Sequence, residues 1–397
     1  MKADKKQAKL IIFLCSMVYM ISYITRSNYS AVIAEMVTST GFTKSALSIA
    51  LTGSFITYGA GQLISGWFGD RVQPRTLIAA GLAATSCMNL LIPLCNTPTQ
   101  MAIVWCFNGL AQAFMWPPIV KIMFVTLSTE DYSRGIVRVS WGSSIGTIAV
   151  YLLAPLMILT LGWKQVFNFS AIFGIIGIFA WLPFCPKIEL TGPKKKSGVK
   201  VTGFREVLPA LILVMLCIMM QGILRDGVTT WMPSYIAETF HLSNEISILA
   251  GVILPIFTIV CYGLANMFYL KVRNPVICAV WIFGIAAVSS VLLYLFCGGS
   301  PVLSVALSAV IVGCMHGVNL MFNGNSPGFF AKGGNVGFYS GLLNSCTYIG
   351  SAISAWVIPL ASEKAGWNAA IGLWALVACG GLILAGICLF PFKKLLK

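Results

Sequence analysis

Charge is what this chain has least of. Only 9% of its 397 residues are Asp, Glu, Lys or Arg, while 58% are hydrophobic and the mean hydropathy is +0.88. So few polar groups cannot clothe a soluble domain, and a water-exposed globule is excluded. Long polar segments are also missing. The one extended polar break runs over 186–206, with Lys194-Lys195-Lys196 among Pro, Gly and Ser; no stretch has room for a nucleotide-binding cassette, so energy must come from gradients or exchange. Paired cysteine spacing is absent too. The thirteen cysteines are odd in number and scattered through apolar runs, which reads as small buried hydrophobes and implies neither disulfide nor zinc site. The first apolar run lacks a small-residue cleavage site and outlasts a signal peptide's core, so the expectation is a retained first helix.

Long apolar runs are abundant. Segments of about the length needed to cross ~30 Å of hydrocarbon fall at 10–33, 44–68, 76–95, 99–127, 135–160, 163–185, 207–237, 245–270, 274–297, 301–330, 335–362 and 366–392. The expected architecture is an all-α membrane protein with twelve transmembrane helices. An N-terminal six-helix bundle (1–185) and a C-terminal one (207–397) flank a linker at 186–206. The formal charge of +15 is not gathered into a nucleic-acid face. Its lysines and arginines lie at span ends on alternate loops, which places both termini and the linker in the cytoplasm by the positive-inside rule. Asn28-Tyr29-Ser30 has the form of a glycosylation sequon. At membrane depth it is set aside.

Two cations break the apolar pattern, Arg26 and Arg225, half the chain apart and each inside a long apolar segment. A guanidinium keeps its proton, and among lipid tails it costs at least ~2.5–3.5 kcal/mol, so each must face water or an anion. One cation per half suits a transporter with an anion site on its pseudo-symmetry axis. Asp226 is the one acid clearly inside the core, since Glu35, Glu238, Glu245 and Glu363 map to outer ends or loops. Neighbours on a helix point about 100° apart, so Asp226 need not pair with Arg225. It either bonds to another helix or serves proton coupling or a substrate hydroxyl. The shortage of such acids leans toward exchange over proton symport.

After the second span comes Gly66-Trp67-Phe68-Gly69-Asp70-Arg71-Val72-Gln73-Pro74-Arg75. Its G-x-x-x-D-R-x-x-x-R form resembles the signature of major facilitator transporters at this place. Gly66, Asp70, Arg71 and Arg75 are therefore read as a gating motif that bridges helices in one conformation, the alternative being a charged turn that sets topology. Further positions sharpen the likeness. Tyr19, Tyr23, Arg26 and Asn28 on the first span, Tyr58-Gly59 on the second, Trp116-Pro117-Pro118 on the fourth, Leu224-Arg225, Gly227, Trp231, Pro233 and Tyr235 on the seventh, and Tyr348 with Gly350 on the eleventh resemble the organophosphate:phosphate antiporter family of glycerol-3-phosphate and hexose-phosphate transporters.

The resemblance implies a small-molecule oxyanion held between Arg26 and Arg225, with Tyr19, Tyr23, Tyr58 and Tyr348 shaping the cavity. It implies no enzymatic activity, no cofactor or metal, and a monomer in a bacterial cell membrane. Three positions depart from the pattern: Gln62 replaces a lysine, Ser144 a histidine and His316 a tyrosine. Losing a permanent cation weakens a dianion more than a monoanion. A less charged organic anion therefore competes with a sugar phosphate as substrate. His316 either follows substrate protonation or donates one hydrogen bond across the bundle. Lys121 lines the inner vestibule or snorkels to the interface, and Asn319, Asn323, Asn325 and Asn344 face the cavity or join helices. The expected function is anion exchange by alternating access. The alternatives are a proton-coupled symporter of a small carboxylate or sulfonate, and a non-transporting sensor of a phosphorylated solute.

Overall fold

The computed structural model describes residues 4–69, 72–185, 204–330 and 336–395, and among them there is no strand. Contacts divide the chain into two compact units, Met1–Lys196 and Ser197–Lys397. Most of the expected linker, 186–203, lies outside the described residues, as do Asp70 and Arg71 of the expected gating motif.

The first unit holds α1 (Lys5–Thr40), α2 (Lys44–Gly69), α3 (Pro74–Leu91) with a 3-10 turn (Ile92–Leu94), α4 (Pro98–Gln112), α5 (Trp116–Thr126), α6 (Thr129–Leu161) and α7 (Trp163–Trp181). Local chemistry sets the ends. The Asp4 carboxylate accepts from the N–H groups of Lys6 and Gln7, and the Gln7 side chain returns to the Asp4 N–H. This capping box starts α1 at Lys5, ahead of the apolar run that begins at 10, because the cap satisfies N–H groups whatever the hydropathy. Thr97 and Gln100 repeat the device at α4, where Pro98 occupies the first turn. The expected span 99–127 is present as the membrane-long segment Pro98–Thr126, with a tight turn inside it: α4 ends there, and α5 restarts at Trp116-Pro117-Pro118, whose prolines offer no N–H to the preceding turn.

Helix approach follows the small residues. A Cβ on Gly142 would stand 2.6 Å from the Ser16 carbonyl oxygen, and one on Gly146 would strike the Met20 carbonyl, so matched four-residue steps on α6 and α1 seat the two backbones together.

The second unit holds α8 (Phe204–Phe240), α9 (Asn244–Ala250), α10 (Ile253–Val272), α11 (Pro275–Leu295), α12 (Pro301–Asn319), a π-helical segment (Leu320–Asn325), α13 (Pro327–Phe330) and α14 (Val336–Lys393). Asn274 and Ser300 cap α11 and α12, each with proline in the first turn. The α8–α14 contact mirrors the α1–α6 logic, since a Cβ on Gly222 would meet the Thr347 carbonyl and one on Gly350 the Met219 carbonyl. Within α14, Gly366 is non-helical at φ 78° and ψ 174°, which separates the expected spans 335–362 and 366–392.

Ten helices among the described residues are long and apolar enough to cross a membrane, and α14 supplies one of them. The run 44–68 coincides with α2, which is not among the ten. Large apolar side chains such as Val302 (77% exposed), Phe179 (75%) and Leu376 (70%) face outward. Water would not tolerate such a surface, whereas lipid does; the protein is a multi-pass membrane protein. All thirteen cysteines are free thiols.

Candidate functional site

In the first unit the sequence-predicted residues converge on Arg26. Its guanidinium carbon lies 4.7 Å from the centre of the Tyr23 ring on the preceding turn of α1, and 5.0 Å from that of Tyr58 on α2. The two rings hold the cation against their faces, an arrangement that costs the guanidinium none of its donors. Tyr19 continues the row, 5.2 Å from Tyr23 and 5.0 Å from Trp116 at the start of α5. Gln62 stands one turn beyond Tyr58 on α2 and so shares its face. It is buried at 7% exposure, and its Nε2 has no hydrogen-bond partner. Ser144 is buried on α6, two residues before Gly146, whose would-be Cβ sits 3.1 Å from that of Tyr23. Lys121 is half-buried on α5.

Arg75 has a definite place. Its Nη1 donates to the Cys185 carbonyl at 3.0 Å, and its own carbonyl accepts from Trp181 Nε1 at 2.9 Å, which ties the start of α3 to the end of α7. Gly66 lies on α2.

Asn28 does not join Arg26, although the resemblance places it in the same first-helix pattern. Its Nδ2 donates to Asn89 Oδ1 on α3 at 2.6 Å and to Ser170 Oγ on α7 at 3.0 Å. Asn89 donates to the carbonyls of Thr25 (3.0 Å) and Thr85 (2.8 Å), Asn108 on α4 donates to the Thr25 carbonyl (3.3 Å), and Gln112 donates to the hydroxyls of Thr25 and Thr85, each at 2.9 Å. Thr85 Oγ1 closes the circuit by donating to Asn108 Oδ1. Every one of these side chains is at most 3% exposed. A buried polar net thus fixes the turn of α1 carrying Arg26, and it also removes Asn28 from the surface a sequon needs. The sequence reading missed this net. Its signal was the row of amides and hydroxyls, Thr85, Asn89, Asn108 and Gln112, inside otherwise apolar spans.

The second unit gathers around Arg225, which is 8% exposed on α8. Asp226 pairs with it after all: Arg225 Nε donates to Oδ1 at 2.8 Å and Nη2 to Oδ2 at 2.7 Å, and Ser351 of α14 donates to Oδ2 at 2.5 Å. Consecutive positions need not meet, yet here they do, and the Ser351 bond also gives Asp226 the partner on another helix that was one of its two expected roles. Tyr348, one turn before Ala352 on α14, stands with its ring centre 5.7 Å from the Arg225 guanidinium. His316 on α12 packs on Tyr262, ring centres 5.6 Å apart.

The π-helical segment also went unread in the sequence. It carries Asn323, whose Nδ2 donates to Thr347 Oγ1 on α14 at 3.2 Å, and Asn325, whose buried Nδ2 has no partner. Asn323 therefore takes its helix-joining role; Asn319 and Asn344 are half-buried. Gln221, one turn before Arg225, is fully buried with both amide atoms unpartnered. Among the described residues no cluster of His, Cys, Asp and Glu could hold a metal ion.

Known proteins resemble the chain in both sequence and fold. It is 26% identical to the glycerol-3-phosphate transporter of Bacillus subtilis (strain 168) over 93% of this chain and 89% of that one. It is 29% identical to the probable hexose phosphate transport protein of Chlamydia muridarum over 40% of this chain, and there it spans only about a third, 35%, of the relative's length. The fold is similar to that of a bacterial homologue of the human lysosomal transporter Spinster, solved in an inward-facing, unoccupied conformation (TM-score 0.78, 13% identity, 99% of this chain and 98% of that one). Residues 15–355, from α1 well into α14, match one transporter family over most of the chain's length, and with the all-helical fold they show that the protein belongs to the Major Facilitator Superfamily.

Proposed function

We propose that this transporter carries a small organic anion, an organophosphate or similar oxyanion, and exchanges it for phosphate or another anion by alternating access. One observation carries the reading: each unit presents an arginine in the middle of a long apolar helix beside aromatic rings, Arg26 with Tyr23 and Tyr58, and Arg225 with Tyr348. A permanent cation at that depth is costly unless it meets an anion, a need that Asp226 already answers in part at Arg225. Guanidinium forks grip oxyanions with paired, charge-assisted hydrogen bonds. The names of the Bacillus and Chlamydia relatives, a glycerol-3-phosphate and a hexose-phosphate transporter, supply the substrate class. In this reading the loaded carrier crosses more readily than the empty one, because the anion neutralises the arginines. Residues 1–185 and 207–397 act as the two moving bundles, Gly66, Asp70, Arg71 and Arg75 gate, and both termini face the cytoplasm of a bacterial cell.

The test is counterflow. Protein in liposomes loaded with phosphate should take up labelled phosphate and lose it to particular external organic anions. Saturable anion binding without any counterflow would replace the transporter reading with that of a sensor.

A further inference from the structure

Resting on that reading of Arg225 as an anion ligand, we propose that Asp226 sets which anions the Arg225 position accepts. Its carboxylate acts as a built-in competitor for the guanidinium and selects singly charged anions over doubly charged ones.

The geometry is specific. Arg225 spends its Nε and Nη2 edge on both oxygens of Asp226, at 2.8 and 2.7 Å, and that edge is one of the two forks with which a guanidinium takes an oxyanion. Ser351 Oγ holds the same carboxylate at 2.5 Å, while donating also to the Thr347 carbonyl at 3.0 Å. A staple between α8 and α14 would need only the Asp226–Ser351 bond. The bidentate grip on the adjacent arginine goes further, because it places a fixed negative charge against the cation that this unit offers to substrate. An incoming oxyanion either displaces Asp226 or binds a guanidinium whose charge is already balanced. In both cases it is repelled by Asp226 in proportion to its own charge. A unit charge a few ångströms from another in a partly hydrated site is worth about one to two factors of ten in affinity, and a dianion meets that penalty twice.

Two probes that differ mainly in charge test this: glycerate, a monoanion, and glycerol 3-phosphate, which is doubly charged at pH 8 because its second ionisation lies near pH ~6. Their dissociation constants are measured on the full-length detergent-solubilised protein for wild type, Asp226→Asn, Asp226→Glu and Arg225→Gln. The expected result is that Asp226→Asn tightens glycerol 3-phosphate at least about tenfold more than glycerate, while Asp226→Glu keeps the wild-type ratio. An equal shift for both probes in Asp226→Asn, or none, overturns the competitor role. If Arg225→Gln abolishes binding of both probes while that ratio stays put, only this inference falls. If Arg225→Gln leaves both affinities unchanged, or no variant binds either probe, the anion reading of Arg225 falls and takes the inference with it. Melting curves of the variants separate loss of folding from loss of binding.

Discussion

Replacing Asn28 by alanine should destabilise the first unit without touching any residue assigned to the anion. The change removes Nδ2 and with it two buried hydrogen bonds between helices, to Asn89 Oδ1 at 2.6 Å and to Ser170 Oγ at 3.0 Å. Each such bond inside a helical membrane protein contributes about 0.6–1.5 kcal/mol net. Ser170 keeps its bond to the Val166 carbonyl, but Asn89 Oδ1 loses the donor at 2.6 Å in a fully buried place, which costs about a further 1–2 kcal/mol. The sum is about 2–5 kcal/mol. Because membrane proteins often unfold irreversibly, the assay is the rate of thermal inactivation in detergent at fixed temperature, with Asn168→Ala as control. Asn168 donates to Gln165 on its own helix, at 2.8 Å, and should cost no more than about 0.5 kcal/mol. A cycle with Asn89→Ala sharpens the test. If the two amides act on each other, the double variant loses less than the sum of the singles by about 1 kcal/mol. Strict additivity, or an Asn28→Ala inactivation rate equal to that of the control, would refute the claim that this net anchors α1.

Replacing Arg26 or Arg225 by lysine should abolish exchange in the phosphate-loaded liposomes while expression stays near normal, since one ammonium cannot reproduce the planar fork; transport within a few-fold of wild type in Arg225→Lys would remove that residue from the site. Gln62→Lys, which adds a cation where a buried amide nitrogen now lacks a partner, should shift preference from a monocarboxylate toward a phosphate ester by about 1 kcal/mol or more, and an unchanged ratio of apparent affinities would mean position 62 does not face substrate. For exchange as opposed to proton symport, an inward proton gradient should drive no net accumulation into liposomes without internal anion. Gradient-driven uptake that disappears in Asp226→Asn or His316→Gln would instead establish a proton-coupled carrier, because neither arginine can release a proton near neutral pH.

Some of this protein is written in its residues one window at a time. Hydropathy adds up locally, so runs such as 10–33, 207–237 and 274–297 are legible as the helices α1, α8 and α11. The cost of a guanidinium in hydrocarbon is equally local, which is why Arg26 and Arg225 stood out with no knowledge of what surrounds them. Partnership is not local. That Asn28 turns to Asn89 and Ser170, that Tyr58 and Tyr348 face the arginines, and that Asp226 is gripped by Arg225 and by Ser351 depend on which helix lies alongside. An amide or carboxylate in an apolar span announces that it needs a partner, but the packing of glycine rows such as Gly142 with Gly146 and Gly222 with Gly350 brings that partner within hydrogen-bond reach. The π-helical segment at Leu320–Asn325 belongs with these: a local pattern reads it as more helix, and only the fit of Asn323 against α14 gives its winding a use.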